Sequence, residues 1–457
     1  MNGAEPTGPV GTLSRPVSVG RCLEPISAVP VDLAGNGYVT EEFFVSGTAR
    51  SFEASGPLVA DGRWSVAPRD SAPYRTRIVV RRPSEPHRFN GTVLVEWFNV
   101  SSGGEASPDW TYLGPQIVAD GYAYVGVSAQ STGIDGGTAL VGVPGLGQPA
   151  GLVASGPERY GTLTHPGDRF SFDMFTQIGR ALREPEPTSA LGSLVAHRVV
   201  AVGESQSAFF LTSYIDAVHK TAHAYDGFFV HSRGASGASL QGTPIASSEV
   251  PRGLQVRSDV EVPVFMFETE TDLGPTLDYG PARQPDTDWV RTWEVAGTAH
   301  ADAYVVGGFA SLLGCDFTVN EGPQHFVAQA ALVALNRWVT DGVPPPTAAP
   351  LELSRMSPPE LARDALGNAI GGVRTPAVDV PVAALSGEAP PGVSRLCSLF
   401  GSTVRFDDRT LVELYGDKRG YLVAYQQSLD TAIAAGFLLD SDRAQLLAQA
   451  QAVAFPS

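Results

Sequence analysis

The chain has 457 residues, 43% hydrophobic and 17% charged, enough to bury a large core. A net charge of −17 argues against nucleic acid and anionic membrane surfaces as partners, because both need a basic face. Three cysteines, Cys22, Cys315 and Cys397, make no disulfide scaffold and no zinc pattern; Cys315 and Cys397 could pair, but buried free thiols are the expectation.

The N-terminal run Met1-Asn2-Gly3-Ala4-Glu5-Pro6 has no basic region followed by an apolar stretch, and no segment approaches the ~18 apolar residues of a membrane span. A soluble, cytoplasmic chain is therefore expected. Residues 1–35 are rich in Gly, Pro and Ser and read as an irregular arm. Residues 38–49 and 74–82 carry the alternation and β-branched side chains of strands. The run at 91–98 is apolar without alternation, the mark of a parallel strand buried on both faces. A helix at 110–120 and a second apolar strand at 122–128 follow. Patterning then lapses over 132–167, which is too long for an ordinary connection and reads as a cap or substrate loop.

A helix at 170–183, a strand at 198–202 and an apolar helix at 209–218 come next. Further strands are expected at 227–231, 262–267 and 291–296, and a helix at 324–338 that stops at Asp341-Gly342. Strands alternating with helices imply an α/β fold, a mostly parallel central sheet flanked by helices. The core is expected over 36–341, with cap insertions at about 132–167 and 233–259. A C-terminal extension, 342–457, is expected to pack on it and to be helical at 428–435 and 441–455.

Gly203-Glu204-Ser205-Gln206-Ser207 lies straight after an apolar strand and straight before a helix, the setting of a nucleophile elbow. A hydroxyl on so sharp a turn projects from the backbone, and small residues at 203 and 207 let strand and helix approach closely. Ser207 replaces the usual final glycine. A serine nucleophile needs a base, and His300, in a small-residue loop past the last strands, is the candidate. His325 is the fallback. His219 and His223 follow the elbow too soon, and His231 ends a strand that usually carries no base.

The acid that orients the imidazole should follow the preceding strand, where Glu268, Glu270 and Asp272 stand; Asp272 is preferred and Glu270 competes. The oxyanion hole needs two donors: the main-chain N–H of Gln206, and one from Asn99 or Val100 in the loop after the first parallel strand. Glu105 and Asp109, nearby, read as surface charges. Arg159, Arg169 and Arg233 read as salt-bridge partners more readily than as substrate anchors. No metal or cofactor is expected, since the acids at 268–272 lack histidines at ligand spacing and the glycines of 133–147 precede no Walker lysine.

Val93-Leu94-Val95-Glu96-Trp97-Phe98-Asn99-Val100, the Ser205 pentapeptide and Trp293-Glu294-Val295-Ala296-Gly297-Thr298-Ala299-His300-Ala301-Asp302 together resemble a bacterial alpha/beta hydrolase domain family. Pro166-Gly167-Asp168-Arg169-Phe170-Ser171-Phe172-Asp173 and Gly371-Gly372-Val373-Arg374-Thr375-Pro376 add to the likeness, which runs from about residue 30 to 455. The resemblance implies an α/β-hydrolase fold and carboxylic-ester hydrolysis of a small-molecule substrate through an acyl-enzyme. A mostly apolar pocket would suit a medium-sized hydrophobic acyl or alcohol group. Lactone or amide hydrolysis and acyl transfer would use the same residues, and a non-catalytic binding protein on this scaffold is the remaining alternative.

Overall fold

A computed structural model of the chain describes residues 8–17, 19–27, 29–142, 147, 149–184, 189–245 and 247–455. By contact density the chain divides into two compact units, one of residues 1–264 and 281–290, the other of residues 265–280 and 291–457.

The first unit is built on a sheet whose strands are β1 (Thr12–Ser14), β2 (Tyr38–Ala54), β3 (Val66–Pro83), β4 (Thr92–Trp97), β5 (Ala123–Val127), β6 (Arg198–Glu204) and β7 (Gly227–His231). Their spatial order is β1-β2-β3-β5-β4-β6-β7. The first three strands and the β3–β5 pair are antiparallel. From β5 onward every pairing is parallel, with Val95 opposite both Val125 and Ala201, and Val202 opposite Phe229. All six residues of β4 and all five of β5 are buried, as unalternating apolar strands require when helices cover both faces. Helices α1 (Pro108–Ala119), α2 (Ser171–Ala181) and α3 (Gln206–Tyr214) supply that cover, and α3 runs on as a π-turn over Ile215–His219. The apolar clamp around Trp97 comes from Phe172, Phe175 and Phe210, with ring centroids 4.9–6.1 Å away.

Within the stretch expected to be a cap, residues 143–146 and 148 lie outside the described residues. Short helices at Ser131–Asp135, Leu152–Ser155 and Pro157–Tyr160 carry Ile134, Leu152 and Tyr160 into a cluster with Phe44 and Leu163. From 233 to 259, residue 246 excepted, the chain forms no regular element.

In the second unit, which takes all but their first residues, strands β8 (Val264–Thr269) and β9 (Val290–Val295) lie side by side. Helix α4 (Gln324–Asp341) ends on Gly342 at φ 71°, a left-handed C-cap that a residue without Cβ adopts at least cost. The chain beyond it packs onto β9: Leu351 N–H donates to Glu294 Oε2 at 2.7 Å, and Val373 N–H donates to the Glu294 carbonyl at 2.7 Å. Helices α5 (Asp408–Tyr415), α6 (Lys418–Ala434) and α7 (Arg443–Ala452) close the chain. Sequence patterning missed α5 and the first half of α6, because these helices bury narrow stripes: Leu411 in α5, and Tyr421, Tyr425, Leu429 and Ala432 in α6.

Cys315 and Cys397 form a disulfide, with Cα atoms 5.7 Å apart, and are not the free thiols the sequence suggested. A sequence separation of 82 gave no local sign of the pairing; the fold brings the two backbones within bridging distance. Cys22 is the free cysteine among the described residues. No helix among the described residues is long and apolar enough to cross a membrane.

Candidate active site

Ser205 stands between the last residue of β6 and the first of α3, with φ 56° and ψ −121°. A side chain with a Cβ adopts such a conformation only when its surroundings impose it. Here the Ser205 N–H donates to the carbonyl of His231, at the end of β7, at 2.9 Å. A Cβ placed on Gly203 would lie 3.2 Å from Ser207 Cβ and 3.3 Å from Ser207 C and O. The strand and helix meet this closely because position 203 has no side chain and Ser207 has a small one.

The loop after β4 is closed on itself: Asn99 N–H donates to Ala106 O at 3.0 Å, Ala106 N–H returns to Asn99 O at 2.8 Å, and Gly103 N–H bonds Val100 O at 2.9 Å. Asn99 Nδ2 donates to the Glu204 carbonyl at 3.1 Å, tying the loop to the elbow. The main-chain N–H of Asn99 is thus committed, while that of Val100 faces the Gln206 side chain, 3.4 Å from Oε1. Gln206 opens α3, so its own N–H has no acceptor within the helix.

Glu105 and Asp109 are buried, contrary to the surface positions expected of them. Glu105 pairs with Arg77, a fully buried guanidinium that also meets Glu42 Oε1 at 3.3 Å. Asp109 Oδ1 lies 2.8 Å from His231 Nδ1. Each partner is remote in sequence, so a Gly/Ser-rich loop that looks solvated is folded inward over ionic partners. Burial raises the pKa values of Asp109 and neighbouring Glu96, although Glu96 accepts bonds from the N–H groups of Asp109 and Trp110 and from Tyr124 Oη. Of the three arginines considered as anchors, Arg159 binds Glu42 at 2.6 Å, Arg169 lies 3.6 Å from Asp70, and Arg233 donates to the Leu254 carbonyl.

In the second unit, β8 runs into a single helical turn, Glu270–Leu273. Asp272 closes a capping box there, its Oδ2 accepting from Thr269 N–H at 2.6 Å and Thr269 Oγ1 at 2.8 Å. Its other oxygen, Oδ1, stands 2.7 Å from His300 Nδ1. Thr271 holds the same loop, its Oγ1 accepting from the His300 N–H at 3.0 Å and donating to Gly387 O at 2.6 Å. Glu270 turns elsewhere: it accepts from Gly297 N–H at 2.6 Å, Gly387 N–H at 3.0 Å and Arg363 Nη2 at 3.1 Å. Burial nevertheless keeps its carboxyl above the usual range, with Arg363 and the two amides drawing it back. The structure therefore brings His300 together with Asp272, and Glu270 braces the backbone on either side.

His325 and His219, two of the other candidates, are otherwise engaged. His325 stacks on Tyr304, ring centroids 3.8 Å apart, and burial pushes its pKa down to about 3. His219 is buried against Phe228 and His223 and is likewise pushed down to about 3.

The family model described as the alpha/beta hydrolase domain matches residues 13–448. The chain belongs to that family. Among curated proteins, no sequence matches it. Similar solved structures include esterase Est22, at 13% identity over 51% of this chain and 64% of Est22, with a TM-score of 0.28. An α/β serine hydrolase without a lid from Xanthomonas campestris matches at 12% identity over 64% of this chain and 96% of its own, with a TM-score of 0.30. A glucuronoyl esterase from Solibacter usitatus matches at 11% over 62% and 85% respectively, also with a TM-score of 0.30. The molecule is thus an alpha/beta hydrolase with esterases among its structural neighbours. Ser205 is the non-glycine residue of this elbow with a positive φ.

Proposed function

We propose that this hydrolase cleaves carboxylic esters of small molecules through an acyl-enzyme on Ser205, with His300 as base and Asp272 as the carboxylate that orients it. The observation that carries the reading is the conformation of Ser205, a non-glycine residue at φ 56° wedged between a buried strand and a helix. The Asp272–His300 pair supports it, because a carboxylate 2.7 Å from Nδ1 fixes the tautomer that leaves Nε2 to accept a proton.

In this mechanism Ser205 Oγ bonds to the ester carbonyl carbon as its proton passes to His300 Nε2. The carbonyl oxygen, now anionic, is held by the N–H groups of Gln206 and Val100. The tetrahedral intermediate collapses, the C–O bond to the alcohol breaks, and His300 returns the proton to the departing oxygen. Water then attacks the acyl carbon with His300 again as base, releasing the acid and restoring Ser205. Asn99 holds the loop to the elbow and is not itself a donor to the oxyanion. The Cys315–Cys397 disulfide supports an oxidising compartment as the place of action, in preference to the cytoplasm.

A fluorophosphonate probe followed by peptide mapping tests the assignment. Labelling is expected on Ser205 alone, and hydrolysis of p-nitrophenyl esters is expected to vanish in S205A. Full esterase activity in S205A would end the proposal. A chain-length series of the same esters would define the acyl group accepted.

A further inference from the structure

The carboxamide of Gln206 is buried, its residue only 1% exposed, immediately beside Ser205. Its two ends are unequally served. Oε1 accepts from the Val100 N–H over 3.4 Å, a long and weak bond, and Nε2 has no hydrogen-bond partner among the described residues. A buried amide donor without an acceptor is costly to keep, and apolar side chains of the same size would fill the space without that cost. The carboxamide therefore lies against the loop-side donor that the proposed mechanism assigns to the oxyanion, and it carries an unused donor of its own.

We propose that the Gln206 side chain is a third donor to the reacting acyl group. In the free enzyme Oε1 covers the Val100 N–H. When an ester enters, the substrate carbonyl oxygen takes over that N–H, the carboxamide turns, and Nε2 donates to the same oxygen as charge develops on it. The neutral carboxamide gives way readily because its bond to Val100 is long, whereas an oxyanion draws short, charge-assisted bonds from both donors. No covalent bond is made or broken by Gln206; it binds and orients. The inference rests on the reading of Ser205 as nucleophile and extends it to a side chain that the elbow motif does not specify.

The test compares wild type, S205A and Q206M on one p-nitrophenyl ester. Methionine matches glutamine in length and bulk but has no donor. Q206M is expected to fold with an unchanged or higher Tm, to lose roughly 10- to 100-fold in kcat, and to keep KM within a few-fold, since the lost bond matters most in the transition state. A Q206M enzyme with wild-type kcat, alongside an inactive S205A, would overturn the role of the carboxamide while leaving Ser205 in place. An active S205A would overturn the nucleophile assignment itself. Should Q206M fail to fold, Q206L serves with the same readout: wild-type kcat and KM overturn the role of the carboxamide, and a loss confined to kcat supports it.

Discussion

His300 Nδ1 and Asp272 Oδ1 lie 2.7 Å apart, and the second oxygen of the same carboxylate caps its own helical turn through Thr269. One side chain thus fixes both the turn that carries it and the imidazole it faces. Glu270, two residues away, has the opposite commitment, with both oxygens bound to amides and a guanidinium from the rest of the second unit.

The first prediction separates these two acids. Asp272→Asn is expected to reduce kcat by about 10³- to 10⁴-fold, because an amide at this position no longer stabilises the imidazolium or enforces its tautomer. Glu270→Gln should act on stability instead, lowering Tm by an amount corresponding to about 1–3 kcal/mol as the bonds to Gly297, Gly387 and Arg363 are weakened. Its kcat, measured well below Tm, should stay within a few-fold of wild type. Equal losses of kcat in both variants would show that the 2.7 Å contact does not distinguish them functionally.

The contrast also shows what could be read from the chain alone. The elbow was legible because its evidence is local: an apolar strand, a small-residue turn and an apolar helix are contiguous from Val199 to Leu211. Preference for Asp272 over Glu270 could only be weighed, since both lie in one helical turn and the partners that claim Glu270 are 27, 93 and 117 residues away. Asp109 and Glu105 were misread for the same reason, their partners being His231 and Arg77. The role proposed for Gln206 beyond its main chain left one trace in sequence, an amide at the head of the elbow helix; its unused Nε2 emerges from packing alone.

A second prediction concerns the fit of strand against helix at the elbow. Ser207 Oγ is buried with no partner among the described residues, so Ser207→Ala should keep activity within about threefold and leave stability unchanged or improved by up to about 1 kcal/mol. Gly203→Val adds branched methyls where even a Cβ would be 3.2 Å from Ser207. Displacing Ser205 by about 1 Å should cost on the order of 100-fold in kcat/KM. Steady-state kinetics on the two variants check the pair, and a Gly203→Val enzyme with normal turnover would show that the close approach is dispensable.

A third prediction follows from the disulfide. It joins residues 82 apart in the second unit, and the turn next to Cys397 is bound to the histidine loop, Leu399 O accepting from Ala301 N–H at 3.0 Å. Closing a loop of that length restricts the unfolded chain by about 4 kcal/mol on the chain-entropy model. Cys315→Ser, or reduction of the native protein, should lower Tm by several degrees. Thiol titration of unfolded protein should find one free thiol before reduction and three after. Three thiols in the oxidised protein would mean that the bond does not form.

The last prediction is the acid limit of stability. His219 and His325 are buried, and burial pushes each down to about 3, against about 6.5 in an unfolded chain. Between those values the unfolded state binds a proton at each site that the folded state refuses, so stability falls as pH drops from about 6.5 towards 3. Each site contributes a slope of up to about 1.4 kcal/mol per pH unit. Glu96, Asp109 and Asp216 work in the other direction: burial raises their pKa values, so the folded state holds their protons more firmly and the stability they lend at low pH is lost as pH rises through the raised values. Wild type alone reports only the sum. His325→Leu isolates one term, because leucine fills the space beside Tyr304 and cannot be protonated. Denaturant titrations at pH 7, 6, 5 and 4 should show the variant gaining on wild type by about 1 kcal/mol per unit below pH 6. Parallel curves for the two proteins would mean that His325 takes up its proton without unfolding.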